Sequence, residues 1–299
     1  MESSSSLLNL VKAGKTRLDE TTRRRASSLD GARSEPHLRT SRLDRVDTFE
    51  REVFHLPMQA LARAVPGCHT VMTAFGATCT GEGLVCAFAF LGWCLSVRAC
   101  IDGIWLVPIV EVLNGLLKWG FGRPRPGWND ARIDIRSVSH EYSFPSSHAM
   151  LSWSLTAYMS SYWMEHVGSS ISGGGSMASM APWYALHCMA FGVSISRVFE
   201  GAHYPKDIVV GGAVGYMIGT WHYGTALPFF QSGAGSGRGV AFEVMLGYCG
   251  CAVMLVVTGL MYKLAVRRWG KPPRQWDMLS RAKGGVLKPH FVPLFDYVG

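Results

Sequence analysis

Between residues 53 and 262 the chain holds only ten acidic residues, against nine in residues 1–52 and two in residues 263–299. That middle stretch is broken into apolar runs at about 83–99, 101–119, 148–166, 180–198, 206–229 and 241–265. Each is near the roughly 20 residues that cross a hydrocarbon core. Neither strand-like alternation nor an internal repeat interrupts them. The expected fold is therefore all-α, a polytopic transmembrane helix bundle of about six spans in which each helix satisfies its own backbone.

Composition agrees, with 48% hydrophobic residues, 17% charged residues and a mean hydropathy of +0.14. Disorder, collagen and a disulfide-stapled miniprotein are excluded. The net charge of +8 does not make this a nucleic-acid binder, because the basic residues concentrate in the tails and around one short segment. The eight cysteines fall mostly in apolar runs without a CxxC pair or zinc spacing. They read as reduced, buried residues, and no metal or cofactor is expected.

The chain reads as four regions. Residues 1–52 form a polar, Ser/Arg-rich tail expected to be disordered. It lacks the apolar run of a secretory signal, and its nine acids set it apart from a transit peptide. In residues 53–82, Arg63, Pro66, Gly67 and His69 interrupt the apolar sequence, which suits interfacial or re-entrant helices. Residues 83–266 are the transmembrane domain, and residues 267–299 a basic C-terminal tail.

Within the second apolar run, Glu111, Asn114 and Lys118 are spaced three and four apart, which puts them on one helical face, expected to point into the bundle. Lys118 is followed by Trp119-Gly120-Phe121-Gly122-Arg123-Pro124-Arg125-Pro126. This turn-rich segment ends the helix and presents arginines stiffly beside an ammonium, a donor set suited to a multiply charged oxyanion. Attraction to lipid headgroups is the plainer alternative for the segment taken alone.

Further on, Pro145-Ser146-Ser147-His148 opens an apolar run, so that helix N-terminal amides and a histidine meet at one place. A third segment runs from Ser196-Arg197 to His203, Pro205 and Asp207. Arg197 closes one helix and Pro205 starts the next. Asp207, four residues after His203, is in reach of one imidazole nitrogen and would fix its tautomer, as a nucleophilic histidine requires. An ordinary ion pair is the alternative for these two residues. Because the three segments fall at alternate helix ends, all of them emerge on one membrane face.

Together they resemble the type-2 phosphatidic acid phosphatase, or lipid phosphate phosphatase, superfamily. Its blocks K-x6-R-P, P-S-G-H and S-R-x5-H-x3-D are matched by Lys118 to Arg125-Pro126, by Pro145-Ser146-Ser147-His148 and by Ser196-Arg197, His203 and Asp207. The one departure is Ser147 where the family usually has glycine. The resemblance is strong over about 110–215 and does not extend to the tails. It implies a metal-independent phosphoric monoester hydrolase. His203 would be the nucleophile, Asp207 its orienting partner and His148 the acid and then the base. Lys118, Arg125, Arg197 and the Ser146/Ser147 region would hold the phosphate.

A site at the membrane boundary implies a lipid phosphate: phosphatidate, lysophosphatidate or, from the Glu141-Tyr142 pair, a sphingoid-base phosphate. Isoprenoid diphosphates and sugar phosphates are handled by relatives with the same blocks. The soluble vanadium haloperoxidases and the lipid phosphotransferases share parts of the pattern, and a catalytically silent lipid-phosphate binder is the reading from another class. The expected location is the endoplasmic reticulum or another endomembrane. The eight Lys/Arg against two acids after residue 262 place the C-terminus in the cytosol, on the same side as the site. No sequence feature specifies an oligomeric state.

Overall fold

A computed structural model describes residues 43–79, 96–130, 132–135, 137–138, 141–168 and 177–226, together with runs of one to three residues between 83 and 89, at 228, between 249 and 267, and at 286–287. The chain divides into two units, Met1–Arg45 and Val46–Gly299, and the second holds the helix bundle. The spans expected at 83–99 and 241–265, the 231–239 connector and the C-terminal tail lie largely outside the described residues, as does most of the N-terminal tail.

The helices are α1 (Leu43–Glu50), α2 (Leu56–Ala64), α3 (Cys68–Ala77), α4 (Val97–Ile104), α5 (Leu106–Phe121), the single turn α6 (Pro126–Asn129), α7 (Ser147–Trp163), α8 (Met177–Phe199) and α9 (Pro205–Trp221). A π-helical turn, Arg51–His55, joins α1 to α2. The fold is mostly helical, as expected. The exception among the described residues is a two-residue parallel pairing of β1 (Ser137–Val138) with β2 (Val286–Leu287), too short to leave a periodic trace in sequence. Helix α1 begins inside the stretch read as polar tail, and its Asp47 and Glu50 are buried.

Helix α7 is the centre: α4, α5, α8 and α9 all pack on it. It tolerates burial on nearly every side because its hydroxyls return to carbonyls of its own preceding turn. Ser152 donates to Ala149 at 3.1 Å, Ser154 to Leu151 at 2.9 Å and Ser161 to Ala157 at 2.9 Å. On α5 the buried stripe is Leu106, Val110, Asn114 and Lys118, at spacings of four. Glu111, seven residues before Lys118 and so about 20° from it around the helix, shares the Lys118 face and lies in the field of Lys118 and Glu141, with its side chain more exposed than the stripe.

The tightest helix–helix approach among the described residues is between α9 and α7. A side chain added at Gly211 would meet the Ser146 carbonyl oxygen at 2.7 Å, one at Gly215 the Met150 oxygen at 2.0 Å, and one at Gly219 the Ser154 oxygen at 2.1 Å. Three glycines four residues apart thus lay the backbone of α9 directly on that of α7, as small-residue helix seams do. One stretch among the described residues, Asp102–Asn129, is long and apolar enough to cross a bilayer. The helices α7 and α9 run on as π-helical turns to Gly168 and Ala226 but do not combine that length and apolarity, so the number of six spans is not established by the described elements.

Replacing Gly215 by Val must push α9 off α7. It should destabilise the purified protein by about 1–3 kcal/mol, read as a lower midpoint of thermal unfolding in detergent. Gly115→Ala, where an added carbon meets nothing within 4 Å, should not lower the midpoint.

Candidate active site

The first block is built by the end of α5. Gly122 adopts the left-handed φ of +58° that its missing side chain permits, and its N–H closes on the Lys118 carbonyl at 2.9 Å. Pro124 then prevents the helix from resuming. Lys118 is left on the buried stripe, its ammonium paired with the Glu141 carboxylate. Arg125 is also buried. Its Nε donates to the Glu141 carbonyl at 2.8 Å and Nη1 to the Ala202 carbonyl at 3.2 Å. Glu141 therefore holds both cations, one through its side chain and one through its backbone.

The second block starts α7. Ser146 is the N-cap, its Oγ accepting from Ala149 N–H at 3.4 Å. Ser147 and His148 are the first two helical residues, and Nε2 of His148 is shielded from the surface. The Ser146 amide, expected to face phosphate, instead donates to the Asp207 carbonyl at 3.1 Å. That bond joins the N-terminus of α7 to that of α9. The Ser143 amide donates to the Arg123 carbonyl at 2.8 Å, and Asn114 Nδ2 to the Pro145 carbonyl at 3.2 Å, so the second block is tied to the first as well.

In the third block, Arg197 ends α8 almost fully buried. Its Nη1 pairs with Glu200 at 2.8 Å, while its Nε makes no hydrogen bond among the described residues. A buried guanidinium N–H without a partner is where an anion would be accommodated. Gly201, with φ of +67°, turns the chain, and a side chain there would meet the Asp134 carbonyl oxygen at 2.7 Å. His203 follows, 1% exposed. Its Nδ1 faces the Ser143 carbonyl at 2.7 Å, whereas Asp207 Oδ2 is 3.9 Å away.

The expected tautomer-fixing role of Asp207 thus falls chiefly to Ser143. The reason lies in helix capping: Asp207 Oδ2 accepts the Tyr204 N–H at 3.0 Å and the Ser143 hydroxyl, which holds the carboxylate at the start of α9. A carbonyl can only accept, so Nδ1 of His203 carries the proton and Nε2 keeps its lone pair.

All eight expected residues thus lie where the ends of α5 and α8 meet the starts of α7 and α9. Sequence reading missed the roles of Ser143, Glu141 and Glu200, and of Arg123, whose Nη1 lies 3.5 Å from Asp207 Oδ1 and whose guanidinium also pairs with Asp47. Arg123, two residues from Arg125 in the same stiff segment, was the most visible of them. Ser143 acts through a backbone carbonyl, which any residue would supply.

Burial, and then the charges of Arg125, Lys118 and Arg197, hold His203 well below the ordinary imidazole range. It is neutral at physiological pH. Below about pH 6.5 the unfolded chain takes up a proton that folded His203 refuses, so stability contributed by the neutral ring is lost as pH falls. Thermal unfolding midpoints measured from pH 7.5 to 5 should fall more steeply for the wild type than for His203→Ala.

The PAP2 superfamily model matches residues 104–228. The chain is 26% identical to glucose-6-phosphatase 3 of Mus musculus over 220 residues, covering 64% of this chain and 61% of that protein's length. Among solved structures, LpxE of Aquifex aeolicus aligns at 21% identity with a TM-score of 0.43, over 57% of this chain and 94% of that one. The first transmembrane PAP2 type phosphatidylglycerolphosphate phosphatase from Bacillus subtilis aligns at 19% identity with a TM-score of 0.44, over 62% and 94%. The segment matched by the PAP2 superfamily model contains Lys118, Arg125, Ser146, Ser147, His148, Arg197, His203 and Asp207.

Proposed function

We propose that the chain is an integral-membrane phosphatase that hydrolyses lipid phosphate monoesters without a metal, through a phosphohistidine at His203. The observation that carries this reading is the His203 ring: Nδ1 is tied to the Ser143 carbonyl at 2.7 Å, and the ring lies in the field of Arg125, Lys118 and Arg197. A neutral imidazole so held is a nucleophile already in the required tautomer.

In the proposed reaction Nε2 attacks phosphorus and the P–O bond to the alcohol breaks. His148 delivers a proton to the departing alkoxide. His148, now basic, takes a proton from water, whose oxygen attacks the phosphohistidine and releases inorganic phosphate. The proton on Nδ1 stays opposite the Ser143 carbonyl, with Asp207 as a second, more distant negative charge. Lys118, Arg125 and Arg197, with the amides at the start of α7 from Ser147 onward, bind the nonbridging oxygens. Three fixed cations supply the charge that a metal supplies elsewhere, which is why chelator resistance is expected.

The membrane reading is supported by large apolar side chains standing exposed on outer faces of the bundle: Tyr184 and Phe191 on α8, Val209, Met217 and Trp221 on α9. A water-soluble protein seldom presents such a surface, and lipid is its natural neighbour. It also favours a substrate whose tail stays in the bilayer while its phosphate enters between helix ends. Phosphatidate, lysophosphatidate and sphingoid-base phosphates are the proposed class, and the endoplasmic reticulum or another endomembrane the proposed location. The similarity to a protein named for glucose 6-phosphate favours a sugar phosphate as the second reading. The chain spans 61% of that relative's length.

Phosphate release should be measured in membranes with excess chelator, from phosphatidate, lysophosphatidate, a sphingoid-base phosphate and glucose 6-phosphate. The expected result is chelator-resistant release, fastest from a lipid ester and abolished in His203→Ala. Removing one phosphate-holding donor, as in Arg197→Ala, should lower kcat by about 10²–10³. Preference for glucose 6-phosphate would select the second reading. No release from any ester would overturn the hydrolase.

A further inference from the structure

Residues 47–59 precede the family-matched region, yet their buried polar groups converge on the loop that carries His203. Nε2 of His55 lies 3.0 Å from the His203 carbonyl oxygen, and the His55 ring is fully buried, edge-on to Tyr204. Its Nδ1 lies 3.3 Å from the Glu50 carbonyl oxygen, so the neutral ring donates to one of two carbonyls, and the shorter contact assigns the proton to Nε2. Gln59, also buried, donates through Nε2 to the Phe199 carbonyl at 3.1 Å and the Asp134 carbonyl at 2.9 Å, and accepts the Asp134 N–H at 3.0 Å. Glu50 accepts the Lys206 amide at 3.0 Å through Oε1 and forms an ion pair with its ammonium at 3.1 Å through Oε2, and Asp47 pairs with both Lys206 and Arg123. The loop from Phe199 to Lys206 is thus gripped at its start, at His203 and at its end by one short segment.

The backbone of His203 has two polar groups. Its N–H bonds to the Arg197 carbonyl at 3.3 Å, within the same block. Its C=O is met by His55, 148 residues away in sequence. With the ring tied to Ser143, these contacts leave the imidazole little freedom to pivot, and among the described contacts the long-range hold on its backbone is the one from His55. Nucleophilic attack depends on sub-ångström placement: a displacement of about 1 Å costs on the order of 10²-fold in rate.

We propose that His55 is a positioning residue for His203, acting through its backbone carbonyl, and that residues 47–59 form the brace that sets the nucleophile's place relative to the phosphate-holding cations. The proposal rests on His203 being the nucleophile. Its effect is on chemistry rather than on phosphate affinity, since none of Lys118, Arg125 and Arg197 hydrogen-bonds to His55 among the described contacts. The donor is the property that matters, so a side chain that still reaches the carbonyl with an N–H should replace it in large part.

The test uses full-length protein purified in detergent, with dioleoyl phosphatidate in mixed micelles and p-nitrophenyl phosphate as a soluble probe. His55→Phe should lower kcat by about 10-fold to 10²-fold, while KM and the competitive inhibition constant of inorganic phosphate stay within about threefold. His55→Gln should recover most of the lost kcat. His55→Met, without a donor, should behave as His55→Phe does and serves in its place if that variant does not elute as a folded peak. The proposal is overturned if the folded donor-less variant turns over at the wild-type rate, if its loss appears in KM and phosphate affinity instead, or if His55→Gln is no better. Wild type and His203→Ala run alongside: a wild type that releases no phosphate from either ester refutes the hydrolase reading itself, whereas an active wild type with an unaltered His55 variant refutes only the brace.

Discussion

The contact on which the site depends is the glycine seam between α7 and α9. Both helices begin in the site, one with Ser146, Ser147 and His148, the other with Pro205 and Asp207. Their separation is set by Gly211, Gly215 and Gly219, at each of which one added carbon would fall within 2.7 Å of a carbonyl oxygen at the start of α7 or along it. At the open end the seam is finished by the Ser146 amide on the Asp207 carbonyl at 3.1 Å. Moving α9 outward by the width of a methyl group would break that bond and carry Asp207 and the His203 loop away from α7.

Burial of several cations at one place is costly unless each is held by an opposite charge or by oriented dipoles. Here the holders come from other blocks: Lys118 is held by Glu141, and Arg125 by the carbonyls of Glu141 and Ala202. Only Arg197 takes its carboxylate from its own segment, through Glu200. No single block makes a binding site, and the cations can be buried only when the bundle has assembled. The same interdependence makes the site rigid, which electrostatic catalysis requires of its donors.

The three blocks were legible because breakers mark them. Gly122 and Pro124, Pro145 and Ser146, and Gly201 and Pro205 each stop or start a helix, and the residues between them could be placed at helix ends from spacing alone. Contacts made by backbone carbonyls were not legible. Ser143 holds the His203 ring through a group every residue possesses, and Asp207 looked like the tautomer-fixing partner because an i, i+4 carboxylate is the only candidate a sequence displays. Nor does sequence connect His55 or Gln59 to a loop some 140 residues on, since an isolated His and Gln in an amphipathic stretch carry no mark of their partners.

Helix polarity gives the site its direction. Lys118 and Arg197 lie in the last turns of α5 and α8, where the negative end of the helix dipole lowers the cost of a buried cation. Of the two helices that start in the site, α9 has its positive end already answered, by Asp207 in its first turn and by Glu50 on the Lys206 amide. Helix α7 has no acidic residue in its first turn. In the proposed reaction a phosphate dianion would meet α7 as the positive helix end that has no carboxylate in its first turn, and that is the end at which His148 stands. The carboxylates that neutralise α9 thus direct the anion toward the proposed proton donor.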